Sequence, residues 1–400
     1  MRGFFIPRLL RQAEWRGRVA LRSLSAVIQM RTFYPSPARV ERGEGHFFIR
    51  LDGIGDFWLW LPFVAALKKA YPQQSFYLIA NRLWAELAEI TGLFSRILPI
   101  DPYRLRRSYS YRQTLTNELR RQLPPAEVLW QTTYSRRIAA EDFLAWVLPA
   151  EKKVAWERDP ATAEPRYLSE WIDKSLYDSV FSGDSSPSIH EWLRYEQWLR
   201  SINGMSLGWK VYAQIRQNLP RLERGVVALA GSSVKYKLIP LQLYRQLLLS
   251  VYQHTKLPIR ILGTATDKAY VENLALPFLE DLSGKLSLVE AVEEVASARL
   301  VVGPDTGLAH VAATLGVPTL MIAGGGHWGR FVPYPAGVPF PLKVLANEMS
   351  CFGCGWMCQY QWDRRRPYPC IARLSPEGLI EQALLWLDMQ GFQQHAGALG

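Results

Sequence analysis

The sequence predicts an α/β protein of two consecutive doubly wound units behind a basic amphipathic N-terminal helical arm. Three observations carry that prediction. From His46 onward short apolar runs alternate with amphipathic segments, the sequence form of a parallel sheet with helices on both faces. The alternation occurs twice, on either side of a polar stretch over residues 207–224. The chain has 400 residues and is 48% hydrophobic, enough for two full-sized cores.

In order, residues 47–51 read as the first strand. A helix follows to Ala70, with Phe57, Trp60, Leu61, Val64 and Leu67 on one face, and Pro62 either kinks it or starts its regular part. Residues 75–80 are a strand, 82–91 a helix, 96–99 a strand, then a helix ending near Arg121 and a strand over 128–131. Residues 156–204 are aromatic and helical. The second series runs through a strand at 226–230, a helix at 241–252, a strand at 258–262, a helix from Asp267 and another at 287–297. It ends with a strand at 300–302, a helix at 306–315 closed by Gly316, and a strand at 319–322. The expected division is an arm and linker over 1–45, a first domain over 46–205, a linker over 206–225 and a second domain over 226–400.

Charge narrows the function. Lys plus Arg number 47 against 36 Asp plus Glu, a net +11, yet residues 1–42 hold nine Arg against Glu14 and Glu41. That is a net +7 in the arm and +4 in the rest, which argues against a nucleic-acid reader with a basic folded face. Within the arm, Phe4, Phe5, Ile6, Leu9, Leu10, Trp15, Val19, Leu21, Leu24, Val27 and Ile28 recur near helical spacing, with Arg8, Arg11, Arg16, Arg18 and Arg22 between them. A basic amphipathic helix of this kind suits an anionic membrane surface; the alternative is that it packs on the body. No run reaches ~18 apolar residues, so no spanning helix is expected, and Arg interrupts any secretory signal. A cytoplasmic protein, peripheral at the inner face of the membrane, is the expectation.

In open α/β sheets ligands bind beyond the carboxyl ends of the strands. After the first strand comes Arg50-Leu51-Asp52-Gly53-Ile54-Gly55-Asp56, where Gly53 and Gly55 permit a tight turn and Asp56 brings an acid to the mouth of the expected cleft between the two halves. Asp56 also suits a helix N-cap. Trp58 replaces the third glycine of a dinucleotide fingerprint, so NAD is not expected. After the strand at 300–302 stands Gly303-Pro304-Asp305-Thr306-Gly307-Leu308-Ala309-His310. Asp305 can cap that helix while the free amides of Thr306, Gly307 and Leu308 hold a diphosphate without a metal.

These stretches resemble a known family. Residues 47–70 and 282–320, the second including Val-Val-Gly-Pro-Asp-Thr-Gly-Leu-Ala-His, are similar to glycosyltransferase family nine, the ADP-heptose:lipopolysaccharide heptosyltransferases. The resemblance, over about residues 46–390, implies the GT-B architecture, with the donor held mainly by the second domain and the acceptor by the first. It also implies inverting transfer from a nucleotide-diphosphate sugar with no cofactor required. It makes Asp56 the general base, pairs Lys237 of Lys-Leu-Ile-Pro with the donor phosphates, and puts Asp267 where the family has a ribose-binding acid. Asp305, Thr306, Gly307 and Leu308 match its diphosphate and sugar loop. Ile239 stands where the family has Trp, which leaves Lys235 as an alternative to Lys237. Where the family often has Gly-Pro-Thr-Asp-Pro, this chain has Gly324-Gly325-Gly326-His327-Trp328-Gly329-Arg330, whose His327 and Arg330 suit an anionic donor.

All four cysteines cluster as Cys351-x2-Cys354-x3-Cys358-x11-Cys370. Structural zinc, reduced or partly paired thiols and an iron–sulfur cluster stay open as readings. Arg104, Arg106 and Arg107, with Arg112 and the tyrosines 103, 109 and 111, suit an anionic glycolipid or oligosaccharide acceptor, or simply a solvated face. The leading expectation is a glycosyltransferase acting on a lipopolysaccharide-type or other cell-surface glycan. A non-catalytic nucleotide-sugar-fold module and a GT-B-fold epimerase are the alternatives.

Overall fold

The computed structural model describes residues 8–184, 186, 188–231, 235–360, 363 and 366–392. It contains two six-stranded sheets in which every pairing is parallel. The first is built from β1 (His46–Arg50), β2 (Phe76–Asn81), β3 (Arg96–Ile100), β4 (Ala126–Gln131), β5 (Ala150–Trp156) and β6 (Ser179–Phe181), in the order β3-β2-β1-β4-β5-β6. The second uses β7 (Val226–Leu229), β8 (Ile259–Leu262), β9 (Leu279–Asp281), β10 (Leu300–Pro304), β11 (Thr319–Ile322) and β12 (Leu342–Leu345), in the order β12-β11-β10-β7-β8-β9. In each sheet the order reverses direction beside a central strand, β1 or β7, the switch point of a doubly wound fold. The near-continuous apolar runs of β1, β7 and β10 are buried along their whole length, as strands covered on both faces must be.

By contacts the chain divides into two units. One comprises Met1–Gly53, Val64–Ser185 and Arg200–Asn203; the other comprises Ile54–Phe63, Ser186–Leu199 and Gly204–Gly400. This differs from a division at residue 205 in two places. Helix α2 (Ile54–Ala70) has its first part grouped with the second unit, because Trp58 donates from Nε1 to Thr314 Oγ1 (2.6 Å) and Tyr212 donates its hydroxyl to the Trp58 carbonyl (2.9 Å). Segment 186–199 joins the same unit through the Trp192 indole on the Leu59 carbonyl (2.8 Å) and the Glu191 amide on the Arg330 carbonyl (3.0 Å). The stretch expected as an extended linker contains a helix, Lys210–Gln217, whose Val211, Tyr212 and Ile215 are buried. Pro62 lies inside α2, and its carbonyl accepts the Gly208 amide (2.8 Å).

The N-terminal segment corrects a second expectation. Helix α1 (Arg8–Phe33) is amphipathic, but it is not a detachable arm. Val19, Ser23, Ala26 and Met30 follow helical spacing and are buried, and Ala26 and Met30 belong to the core of the first unit. Ser23 donates to the buried carboxylate of Glu164, and Gln29 Oε1 accepts from Arg112 Nε at 2.6 Å. Arg112 is thereby a structural residue. The opposite face leaves Leu21, Leu24 and Ile28 exposed beside Arg18 and Arg31. Of the apolar residues expected in this helix, Phe4, Phe5 and Ile6 lie outside the described residues, as do the side chains of Arg8, Leu9, Leu10 and Arg11. Among the described residues no helix is long and apolar enough to cross a membrane.

Candidate functional site

In the second unit β10 ends at Pro304, and the helix Gly307–Thr314 begins three residues later. Thr306 is its N-cap residue and makes no side-chain cap, so the expectation that Asp305 caps this helix is not met. The Asp305 carboxylate is engaged elsewhere. Lys237, in the short turn Lys235–Lys237 after β7, brings Nζ to 3.6 Å from Asp305 Oδ2, and His310 brings Nε2 to 3.3 Å from Oδ1. The other nitrogen of that imidazole, Nδ1, lies 2.9 Å from the Tyr334 hydroxyl. A neutral ring donating from Nε2 and accepting at Nδ1 satisfies both contacts. Burial alone would raise the Asp305 pKa; Lys237, then His310 and His327, hold it well below the usual carboxylate range. The site therefore contains a fixed negative group beside a lysine.

The amides of Thr306, Gly307 and Leu308 make no backbone hydrogen bond among the described residues. They are the orphan donors at a helix start, where the positive end of the dipole also lies. Both glycines at this point have a steric reason. A Cβ at Gly307 would sit 2.6 Å from Ile54 Cβ and 3.0 Å from the Gly55 nitrogen, and a Cβ at Gly55 would sit 3.3 Å from His310 Cδ2. The start of α2 thus abuts the start of the Gly307 helix. Asp56 lies in the first turn of α2, not at its N-cap, where a carboxylate is favoured by the helix dipole. Gly53 precedes the helix and is exposed. We predict that Gly307→Ala pushes the two helix starts apart and lowers turnover at least tenfold, with little change in the thermal midpoint. Retention of full turnover in the purified variant would show that this approach is dispensable.

The triglycine loop is packed by the cysteine segment. Phe352 occupies the space a Cβ at Gly325 would need, and Trp356 the space at Gly326; the amides of Gly353 and Gly355 donate to the carbonyls of Gly325 and Gly326, both at 2.7 Å. Trp356 also lies under Lys237 Nζ, 4.3 Å from its ring centroid, and 5.8 Å from the His327 ring. Burial, helped by Arg330 and Lys237, lowers the His327 pKa to about 3, so the ring is neutral. Arg330 donates from Nε to Glu191 Oε1 at 2.7 Å inside the protein, so part of its fork is committed to a buried ion pair.

None of the four cysteines forms a disulfide. Among the described residues no group of three or more His, Cys, Asp or Glu is gathered to hold a metal ion. Cys370 turns its sulfur toward the Gly325 amide at 3.5 Å, and burial, with the neighbouring cysteines, pushes the Cys354 and Cys370 thiols up. What the segment does is brace the glycine loop.

Asp267 ends the short 3-10 turn Ala265–Asp267 that follows β8, and its Oδ2 accepts from both the amide and the hydroxyl of Thr264 (2.7 Å each), closing a capping box. It lies against Gly231 and Gly263, where a Cβ would meet it. Arg104, Arg106 and Arg107 belong to the first unit, on the helix Pro102–Arg107. Arg104 stacks on Tyr111 (4.5 Å), Arg107 on Tyr103 (3.4 Å), and Arg106 Nε donates to the Pro102 carbonyl (2.9 Å). The structure thus gathers Lys237, Asp305, His327 and the start of the Gly307 helix, and separates them in the chain's organisation from the three arginines. The side chain of Lys235 lies outside the described residues. Sequence reasoning missed Tyr334, Trp356 and Glu191, and gave His310 no role of its own. His310 had a signal, five residues after Asp305 on the same loop and helix; Tyr334 and Trp356 reach the site only by chain return.

Comparison with known proteins agrees with this geometry. Residues 200–340 match the model of glycosyltransferase family 9 (heptosyltransferase). A lipopolysaccharide heptosyltransferase 1 of Pseudomonas aeruginosa is 33% identical over 108 residues, a match that covers 24% of this chain and 29% of that protein's length. The structure of E. coli ADP-heptose lipopolysaccharide heptosyltransferase II matches with a TM-score of 0.59 at 16% identity, over 87% of this chain and 99% of the other. E. coli heptosyltransferase WaaC, solved with ADP, matches with a TM-score of 0.60 at 18% identity, over 75% and 92%. The last two establish a shared GT-B-type fold.

Proposed function

We propose, for a chain whose residues 200–340 carry a glycosyltransferase family 9 domain, that it transfers heptose or a related sugar, with inversion and without a metal, from a nucleotide-diphosphate donor to an anionic cell-surface glycan. The observation that supports this most is the close approach of Gly55 to Gly307 and His310, which brings the start of the helix that carries Asp56 against the start of the helix that carries the Thr306–Leu308 amides. In the reaction, the acceptor oxygen bonds to the anomeric carbon while the bond from that carbon to the diphosphate breaks. Asp56 takes the hydroxyl proton. The nucleoside diphosphate leaves with its charge held by Lys237 and the amides of Thr306, Gly307 and Leu308, so the positive groups do a cation's work. Asp305, held ionised, is suited to accept hydrogen bonds from sugar hydroxyls, and Asp267 keeps one carboxylate oxygen for a ribose. His327 and Arg330 line the same loop, with His327 neutral and Arg330 steadied by Glu191.

Incubation with an ADP-sugar, with and without a lipopolysaccharide-type acceptor, tests the reading. Transferase chemistry consumes donor and extends the acceptor only when both are present. Donor converted without acceptor identifies an epimerase, and binding without turnover identifies a non-catalytic module.

The acceptor side would work at the inner face of the cytoplasmic membrane. Leu21, Leu24 and Ile28 form an exposed apolar stripe on α1, flanked by Arg18 and Arg31, which suits an anionic lipid surface. Leu21→Ser, Leu24→Ser and Ile28→Ser combined should leave the thermal midpoint unchanged and weaken sedimentation with anionic vesicles at least tenfold. Undiminished sedimentation would move membrane attachment elsewhere.

A further inference from the structure

We propose that a small cavity in the first unit, where α1 meets the helix Pro102–Arg107, binds a phosphate monoester. Its volume is about 170 Å³, below the ~300–1,000 Å³ of sites that enclose a whole drug-sized ligand, so it takes one group of a larger molecule. Arg22, Arg106, Arg107 and Arg137 line it from three elements of the chain. Like charges brought together this way repel unless an anion sits among them. Arg107 feels that repulsion: desolvation, and then Arg22 and Arg18, lower its pKa.

The cavity has a single acid of its own against the four arginines. Glu164 is buried and already engaged, accepting from the Ser23 hydroxyl and from the Ile138 amide at 3.3 Å. Burial raises its pKa, against the pull of Ser23, Arg137 and Arg158. Glu141, buried nearby, accepts the backbone amide of Arg137 at 2.8 Å, and burial raises its pKa against the pull of Arg106, so two buried acids stand against four arginines. Arg137 Nη1 is buried with no hydrogen-bond partner, although its guanidinium lies over the Trp15 ring at 5.7 Å. An unmade bond on a buried cation is costly, and a ligand oxygen there would supply it. Several guanidinium forks arriving from different directions match the tetrahedral oxygens of a phosphate better than the single plane of a carboxylate.

The site is therefore a specificity element for phosphorylated acceptors. It rests on the acceptor reading above for the source of the phosphate only, since the cavity belongs wholly to the first unit. The full chain is titrated with inorganic phosphate against chloride at constant ionic strength, and binding is read from the thermal midpoint. Phosphate should stabilise the wild type and also Lys237→Ala, which removes the lysine of the second unit's site. In that Lys237→Ala background, Arg22→Gln with Arg107→Gln, both on accessible side chains, should weaken the response at least tenfold, as should Arg137→Gln. An undiminished response when the two arginine changes are added to Lys237→Ala, or loss of the response in Lys237→Ala alone, overturns the proposal. Two further arms separate the sources. Glucose 1-phosphate that binds with the same sensitivity to the variants points to a phosphorylated glycan, whereas variant-sensitive binding only to phosphatidylcholine vesicles containing phosphatidic acid points to a lipid headgroup. Because no arm measures sugar transfer, failure of the transferase reading leaves these results distinct.

Discussion

Asp56→Asn is expected to cut turnover by ~10² or more while ADP binds nearly as before. An amide is nearly isosteric with the carboxylate but cannot accept the acceptor's proton at neutral pH. Its place in the first turn of α2 sharpens the expectation. Since Asp56 is not the N-cap, the substitution weakens a favourable charge–dipole contact, about 0.3–1 kcal/mol at an accessible helix start, and the helix should persist. The helix is also anchored downstream by Trp58 on Thr314 and by Tyr212 on the Trp58 carbonyl, neither of which involves Asp56. A turnover loss with an unchanged thermal midpoint and unchanged ADP affinity is therefore the signature of a lost base. Near-normal turnover would remove Asp56 from that role.

What could be read from the sequence follows from which forces act locally. The strands at 47–51, 226–230, 258–262 and 300–302 stood out because a central parallel strand is apolar on both faces, and all four are present within a residue or two. β5 escaped because Glu151, Lys152 and Lys153 interrupt its apolar run. Lys153 is nonetheless buried, donating from Nζ to the Ala145 carbonyl at 2.6 Å, a partner that lies in no sequence pattern. β6, β9 and β12 are short edge or near-edge strands defined by pairing more than by composition. Helix α1 was legible as amphipathic, but not which stripe would be covered: the buried line through Ser23, Ala26 and Met30 is less hydrophobic than the exposed line through Leu21, Leu24 and Ile28. Shape and the Ser23–Glu164 and Gln29–Arg112 contacts override hydrophobicity there. At the site, the loop after β10 was legible because glycines and an acid at a strand end have few structural uses. Trp356 was not, since its role depends on the cysteine segment folding back on the triglycine loop.

Lys237→Ala should weaken ADP binding by roughly 10- to 100-fold, the ~1.5–3 kcal/mol of a charged hydrogen bond, and the deficit should shrink as salt is raised. Binding to the wild type should be indifferent to excess chelator, because the ammonium and the helix-start amides supply the positive charge a magnesium ion otherwise would. The structure adds a second consequence. Lys237 is the largest influence opposing burial at Asp305, so its removal leaves a buried carboxylate supported by His310 alone among its close ionic partners shown here. A depressed carboxylate pKa contributes stability above the unfolded value of ~3.9, and that contribution is lost as pH falls through the folded value. In Lys237→Ala that depression shrinks. The variant should be less stable than the wild type at neutral pH, and the gap should narrow as pH is taken below about 4. Lys237→Arg keeps the charge and should recover stability before it recovers ADP affinity, since the longer planar fork no longer presents a point charge over the Trp356 ring. Calorimetry with ADP and chelator decides between outcomes: loss of binding on chelation overturns the metal-free reading, and unchanged affinity in Lys237→Ala transfers the phosphate role to Lys235 or Arg330.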